Sequence, residues 1–451
     1  MTTELGERGD FADFDALMHD AARAPEGLAD VDPRRRRRRR WIGWTIAAVI
    51  LALVVGTPSA YVTWALTAPL PTPEATFTEP AVTVPAAAAL TLPAQGSSAI
   101  SVAGADEYLG AEAAGIWATS GPQDPAPMAS ITKLITALVV LDAHPLTGPE
   151  DQGPTLWFDD ADEDLYDAYY VQDVTIARMP AGSSMSLRGA LATMLIPSAS
   201  NYADVISTWA FGSRSSFVSA ARTWLDAHGL AGTTVVDPTG ISSRNTSTPA
   251  DLIALGRIAA ANPDIVAIVG TRSATIGSAG TVHNTNGLLG TAGVTGMKTG
   301  NLGAGTFAFL YTSRLDVGVG TPLTVIGVML GGESRDAVNG DVLRLLGSIQ
   351  QGFHDVPLVT AGQDVGEYTT VWGAQARMAV ASGADIRTWS DTPITVTSDI
   401  RVPETYEDGE VIGSITWTAG PRTASVDVVI EGDIEPPTEW WRLTHPSELG
   451  G

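Results

Sequence analysis

The sequence predicts an α+β fold: a helical cluster on an antiparallel sheet, then a small C-terminal all-β domain, with one apolar anchor helix in front. Three observations carry this. Segments with apolar residues at helical spacing crowd between residues 127 and 261, and strand-like runs flank them, as expected for helices segregated on one antiparallel sheet. Beyond residue 362 only short strand-like pieces remain. Residues 41–55 contain no charged side chain.

Taken in order, residues 1–40 read as a disordered arm, polar and acidic without sustained periodicity, ending in the run Arg34 to Arg40. The apolar stretch 41–66 follows at once. Spanning a bilayer takes roughly 20 residues, and Trp41, Trp44, Tyr61 and Trp64 suit its interfaces, so 41–66 is expected to be a single-pass transmembrane anchor. The Arg block assigns the arm to the cytoplasm and everything after the anchor to the outside. Small residues near Ser59 and Ala60 also allow cleavage. Residues 67–95, rich in Pro, Ala and Thr, read as an extended spacer.

Residues 96–358 are expected to form the main domain. Strands are read at 99–104 and 113–120, a helix at 127–143, and helical segments over 187–210 broken at Pro197. Helices follow at 215–230, capped by Gly229, and at 249–261, with Pro249 at its start. Strands at 295–300, 305–314 and 323–331 precede a closing helix at 336–353. The acidic, aromatic stretch 150–173 reads as a solvated surface hairpin, the alternative being a loop beside a site. Residues 362–432 form the small β domain, and the tail 433–451 carries Trp440 and Trp441, suited to docking on a domain or to a membrane interface.

The 451 residues carry a net charge of −24, and since residues 1–40 hold nine acids and nine Arg, the remainder carries all of it. So acidic a body repels phosphate backbones, which excludes nucleic acid as a partner. Cys is absent, so thiolate metal sites and cysteine nucleophiles are excluded. The six His show no ligand spacing, and no metal or cofactor is expected. Of the 26 basic residues only two are Lys, Lys133 and Lys298. Arg stays protonated, whereas a desolvated Lys can act as a base.

Lys133 closes Ser130-Ile131-Thr132-Lys133 at the start of an apolar helix. Positions three apart share a helix face, so the amine can reach the Ser130 hydroxyl and, once deprotonated by burial, activate it. The other lysine opens Lys298-Thr299-Gly300 on a strand. Between the two lies Pro197-Ser198-Ala199-Ser200-Asn201.

S-x-x-K, then S-x-N, then K-T-G is the order found in penicillin-recognising serine enzymes. With the flanks of these motifs, residues 97–355 resemble the D-alanyl-D-alanine carboxypeptidases, the low-molecular-weight penicillin-binding proteins. The resemblance implies a penicillin-binding-protein/β-lactamase-like transpeptidase domain and trimming of the terminal D-alanine of peptidoglycan stem pentapeptides. It makes Ser130 the nucleophile, Lys133 its base and Ser198 a proton relay. Lys298 and Thr299 hold the substrate carboxylate, Gly300 admits the substrate backbone, and the N–H groups of Ser130 and Asn301 form the oxyanion hole. β-Lactam antibiotics are then acylating inhibitors. One departure stands out: the family Asn falls at Ser200, with Asn201 one place late. Either Ser200 substitutes, or the loop shifts to present Asn201.

Three other readings compete. A class A β-lactamase deacylates through a Glu between the second and third motifs, and no Glu occurs from Asn201 to Met297. A wall protein that binds stems but cleaves them weakly would follow from Ser200. Endopeptidase or transpeptidase action on cross-links uses the same residues.

Overall fold

A computed structural model describes residues 33–148 and 150–450. The arm expected over residues 1–40 lies outside the described residues as far as residue 32. The chain forms two compact units. One holds the described residues up to Ala75 with Tyr368–Gln375 and the tail from Ile434, and the other holds Thr76–Glu367 with Ala376–Asp433.

In the first unit a helix runs Pro33–Leu51, passes through a π-turn at Ala52–Gly56 and continues as Thr57–Thr67. Its segment Arg37–Thr67, 31 residues long, is long and apolar enough to cross a membrane, at about 1.5 Å rise per residue. The tail docks on the C-terminal end of this helix. Helix ends leave carbonyls without partners, and Arg442 Nη1 donates to one of them, Ala68 O, at 2.9 Å. Tyr61 Oη donates to Leu443 O at 2.7 Å, and Leu449 packs on Ala65 and Ala68. Trp441 meets the Trp372 ring edge-on, while Trp440 stays 74% exposed.

In the second unit five strands form an antiparallel sheet: β1 (Ser97–Ala103), β2 (Ala118–Ser120), β3 (Val294–Gly300), β4 (Phe307–Leu315) and β5 (Leu323–Gly332). Their order is β3-β4-β5-β1-β2, which leaves β3 at an edge. Side chains alternate across a sheet. Leu310, Ile326 and Val328 therefore join the core under the helical cluster, while Phe309, Tyr311 and Val325 face the other way. The cluster comprises α1 (Thr132–Ala143), α2 (Asp160–Tyr170), α3 (Leu187–Leu195), α4 (Ser200–Phe211), α5 (Arg214–Ala227) and α6 (Pro249–Ala261). On the opposite face α7 (Arg335–Gln351) buries Val338, Val342, Leu345 and Ile349. The architecture is the expected α+β one, a helical cluster against an antiparallel sheet. C-terminal strands Asp364–Thr369, Gln375–Val380, Thr395–Ile400, Val411–Ala419 and Arg422–Glu431 join a six-stranded sheet with Glu74–Phe77 at its edge.

Two expectations need correcting. Residues 150–173 are not a hairpin: Thr155–Trp157 pairs outside the stretch with Ser184–Ser186, and α2 takes up 160–170, started by a capping box in which Asp159 accepts from Asp162 N and Asp162 accepts from Asp159 N. Nor is the whole of 67–95 a free spacer. The N–H groups of Ala88 and Thr91 donate to Ser390 Oγ and Ser348 Oγ, and Leu90 and Leu92 cover the α7 core, so this stretch is bonded along the second unit.

Candidate active site

Ser130 lies in a 3-10 turn, Ala129–Ile131, immediately before α1. Ala129 has φ +49°, a left-handed conformation that costs an L-residue about 1–2 kcal/mol. Thr132 Oγ1 donates to Ala129 O at 2.8 Å and holds the turn. Lys133, one turn on, is fully buried. Its Nζ lies 2.9 Å from Ser130 Oγ, 3.1 Å from Ser200 Oγ and 2.6 Å from Thr239 O. Burial lowers its pKa to about 7, against the opposing pull of Asp237 and Asp204.

The Thr239 carbonyl is presented by a loop built around Asp237. That carboxylate accepts from Thr239 N and Oγ1, Gly240 N, Ser242 N and Asn245 Nδ2. Burial pushes the Asp237 pKa up, but these bonds outweigh it and hold it below the usual carboxylate value. Gly240 is needed here, because its φ is +80° and a Cβ would stand 2.0 Å from Ala129 O.

The second motif departs from the expectation at one residue. Ser198 has φ +72°, and this turn starts α4 so that Ser200, in its first turn, reaches Lys133. Ser198 lines the cleft. Asn201 does not: it is fully buried, with Nδ2 donating to Ala177 O at 2.8 Å and Oδ1 accepting from Ala177 N at 3.2 Å. Both ends of its amide are engaged by the 174–177 segment, so the expectation that Asn201 meets substrate is corrected.

On β3, Lys298 is also fully buried, with Nζ donating to Thr299 O at 2.9 Å. Burial first, then the charges of Lys133 and Arg335, hold its pKa well below the ordinary value. It does not line the cleft; Thr299, Gly300 and Asn301 do. Thr299 Oγ1 is 2.7 Å from Thr285 Oγ1, and Thr285 O accepts from Arg335 Nη1 at 2.6 Å. A Cβ at Gly300 would stand 2.8 Å from Ser130 N, so a bare backbone there is what lets β3 approach the serine.

These residues border a cleft of about 520 Å³ whose wall includes Ser130, Ser198, Ser200, Thr299, Asn301 and Arg335. It therefore combines a hydroxyl beside a buried amine, backbone N–H groups, an edge strand and one guanidinium. Among the described residues no three His, Asp or Glu converge to hold a metal ion. Arg335, Thr285 and the Asp237 loop escaped the sequence reading; the one signal that could have found them is Asp237-Pro238-Thr239-Gly240, whose residue types are those of a turn.

Residues 109–326 match the model of a family described as D-alanyl-D-alanine carboxypeptidase. This segment belongs to that family. A D-alanyl-D-alanine endopeptidase from Pseudomonas aeruginosa is 33% identical over 129 residues, 29% of this chain and 38% of the relative's length. The carboxypeptidase-family fold extends further. Penicillin binding protein 6B from Escherichia coli superposes with TM-score 0.50 at 18% identity, covering 74% of this chain and 95% of its own. The D-alanyl-D-alanine carboxypeptidase DacD from Francisella tularensis gives TM-score 0.50 at 16% identity, covering 79% and 96%.

Proposed function

We propose that this chain is a membrane-anchored serine D-Ala-D-Ala carboxypeptidase that trims the terminal D-alanine of peptidoglycan stem pentapeptides. The observation that carries the reading is the set of partners around Lys133 Nζ. Thr239 O can only accept, so it takes one N–H. Ser200 Oγ takes a second. In the neutral amine the lone pair is then left for the Ser130 hydroxyl, and burial makes that neutral form available near pH 7.

In this mechanism the substrate lies as an added strand along β3. Arg335, the guanidinium of the cleft wall, and Thr299 hold its terminal carboxylate, and Lys298 supports Thr299 from beneath. Ser130 Oγ attacks the carbonyl of the penultimate D-alanine as its proton passes to Lys133 Nζ. The N–H groups of Ser130 and Asn301 bind the oxyanion. Collapse breaks the C–N bond, the proton returns from Lys133 through Ser198 to the leaving amine, and D-alanine departs. Water, deprotonated by Lys133, then hydrolyses the Ser130 ester. β-Lactams acylate the same hydroxyl and act as inhibitors. The helix 37–67 anchors the chain, with the body outside the cell.

The test is D-alanine release from a peptide ending in D-Ala-D-Ala. Release by wild type and none by Ser130→Ala supports the reading; equal release by both would overturn it. The name of the Pseudomonas aeruginosa relative favours a second reading, cleavage of D-alanyl cross-links by the same residues. Product analysis on cross-linked muropeptides separates the two.

A further inference from the structure

Three side chains next to the site are unused by this mechanism. Asp204 lies one turn beyond Ser200 on α4, hence on the same helix face, and its side chain is 5% exposed. Arg214, at the start of α5, grips its carboxylate with both prongs, Nε to Oδ1 at 3.1 Å and Nη2 to Oδ2 at 2.6 Å. Tyr169, near the end of the acidic helix α2, donates its hydroxyl to Oδ2. Burial, then the Asp204 charge, raises the Tyr169 pKa and keeps that donor protonated. None of the three lines the catalytic cleft, but Tyr169 and Arg214 line an adjoining cavity of about 460 Å³ that shares Gln172 and Ile241 with it.

The charges acting on Lys133 come from three sides. Asp204 on α4 and Asp237 on its loop favour the protonated amine, while Lys298 on β3, itself facing Arg335, opposes it. The two carboxylates are compensated differently. Asp237 is saturated by neutral donors. Asp204 carries a cation, and that cation's side chain is 52% exposed.

We propose that Arg214 and Asp204 form a charge-setting pair, in which the guanidinium offsets the Asp204 carboxylate so that the Lys133 amine can take the Ser130 proton, with Tyr169 fixing the carboxylate's orientation. All three are positioning residues, since none touches substrate. The proposal rests on the reading of Lys133 as the base.

Acylation needs the neutral amine, so its rate climbs with pH through the Lys133 titration. Arg214→Met leaves the Asp204 charge unopposed, Lys133 holds its proton more firmly, and the acid limb moves up by about 0.5–1 pH unit. At pH 6 that is acylation slower by about 3- to 10-fold. Asp204→Asn leaves the guanidinium unopposed and moves the limb down, and the double variant returns it close to wild type. Arg214→Lys keeps the charge and leaves the limb in place.

The experiment is the rate of penicillin acylation of the full-length chain in detergent micelles, from about pH 5 to 9, for wild type and these variants. Opposite shifts that cancel in the double variant support the pair. Variants that slow acylation by one factor at every pH, or that shift the limb in one direction, overturn it. Should Asp204→Asn not fold, Arg214→Met against Arg214→Lys decides the matter: equal midpoints overturn the pair. A wild type that takes up no penicillin at any pH overturns the catalytic reading itself and the pair with it. An acylated wild type with unmoved variants overturns the pair alone.

Discussion

At Lys133 the chemistry depends on which protons a buried amine can shed, and substitutions that keep its charge are the informative ones. Lys133→Arg keeps the cation but cannot deprotonate. Loss of a general base typically costs 10²–10⁴-fold, so penicillin acylation is expected to slow by about that factor; a variant retaining most of the wild-type rate would remove Lys133 from the base role. Wild-type acylation should rise with pH through about 7, where the lowered Lys133 pKa lies. The two neighbours at the second motif are expected to part ways. Asn201→Ala removes two buried hydrogen bonds to Ala177 and should cost about 1–3 kcal/mol of stability, seen as a lower Tm, with kcat/KM of the folded protein unchanged. Ser200→Ala removes a partner of Lys133 Nζ, and its loss should appear in kcat/KM at unchanged Tm. The reverse pattern would mean that Asn201 is the residue presented to substrate.

At the scale of elements, the site is a junction of the α1 turn, the α4 start, the β3 edge and the Asp237 loop, and two glycines set how closely they meet. Gly240→Ala should be severe, because its Cβ would stand 2.0 Å from Ala129 O in a left-handed backbone. The nucleophile turn would have to move, and acylation should fall at least 10²-fold, as a misplacement near 1 Å costs. An acylation rate within a few-fold of wild type would show the turn to be slack. How much of this was legible in the sequence follows from the kind of contact involved. Ser130, Lys133 and the Thr299-Gly300 edge were legible because two lysines survive among 24 arginines and each sits in a recognisable spacing. Helix and strand periods marked the sheet and its helical cluster for the same reason. The partner Thr239 was not, because it acts through a carbonyl that every residue has. The contact of Ser200 with Lys133 was not either, since the turn that delivers it has a positive φ at Ser198, a residue type that gives no hint of one. In 150–173 the acidic side chains disguised a helix whose start is fixed by Asp159 and Asp162.

For the whole molecule, the helix 37–67 and the docked tail belong to one unit, and their contact can be tested by itself. Arg442 and Gly450 bond Ala68 O and Pro69 O at the end of that helix, so deleting residues 435–451 should leave the fold of the second unit and its acylation rate intact while exposing the segment from Ala68 onward, just beyond the anchor, to protease. Equal protection with and without the tail would mean that this docking contributes nothing in solution. On intact cells, added protease should digest epitopes beyond residue 67 and spare the arm 1–40; protection of the C-terminal strands would reverse the orientation. The expectations about acylation all depend on one event, the formation of an ester on Ser130. Intact-mass and peptide mapping of the full-length chain after exposure to a penicillin tests it most directly. A stoichiometric adduct mapped to the peptide containing Ser130, absent in Ser130→Ala, is the expected result; no adduct on the wild type, or one that persists at equal yield in Ser130→Ala, would contradict it.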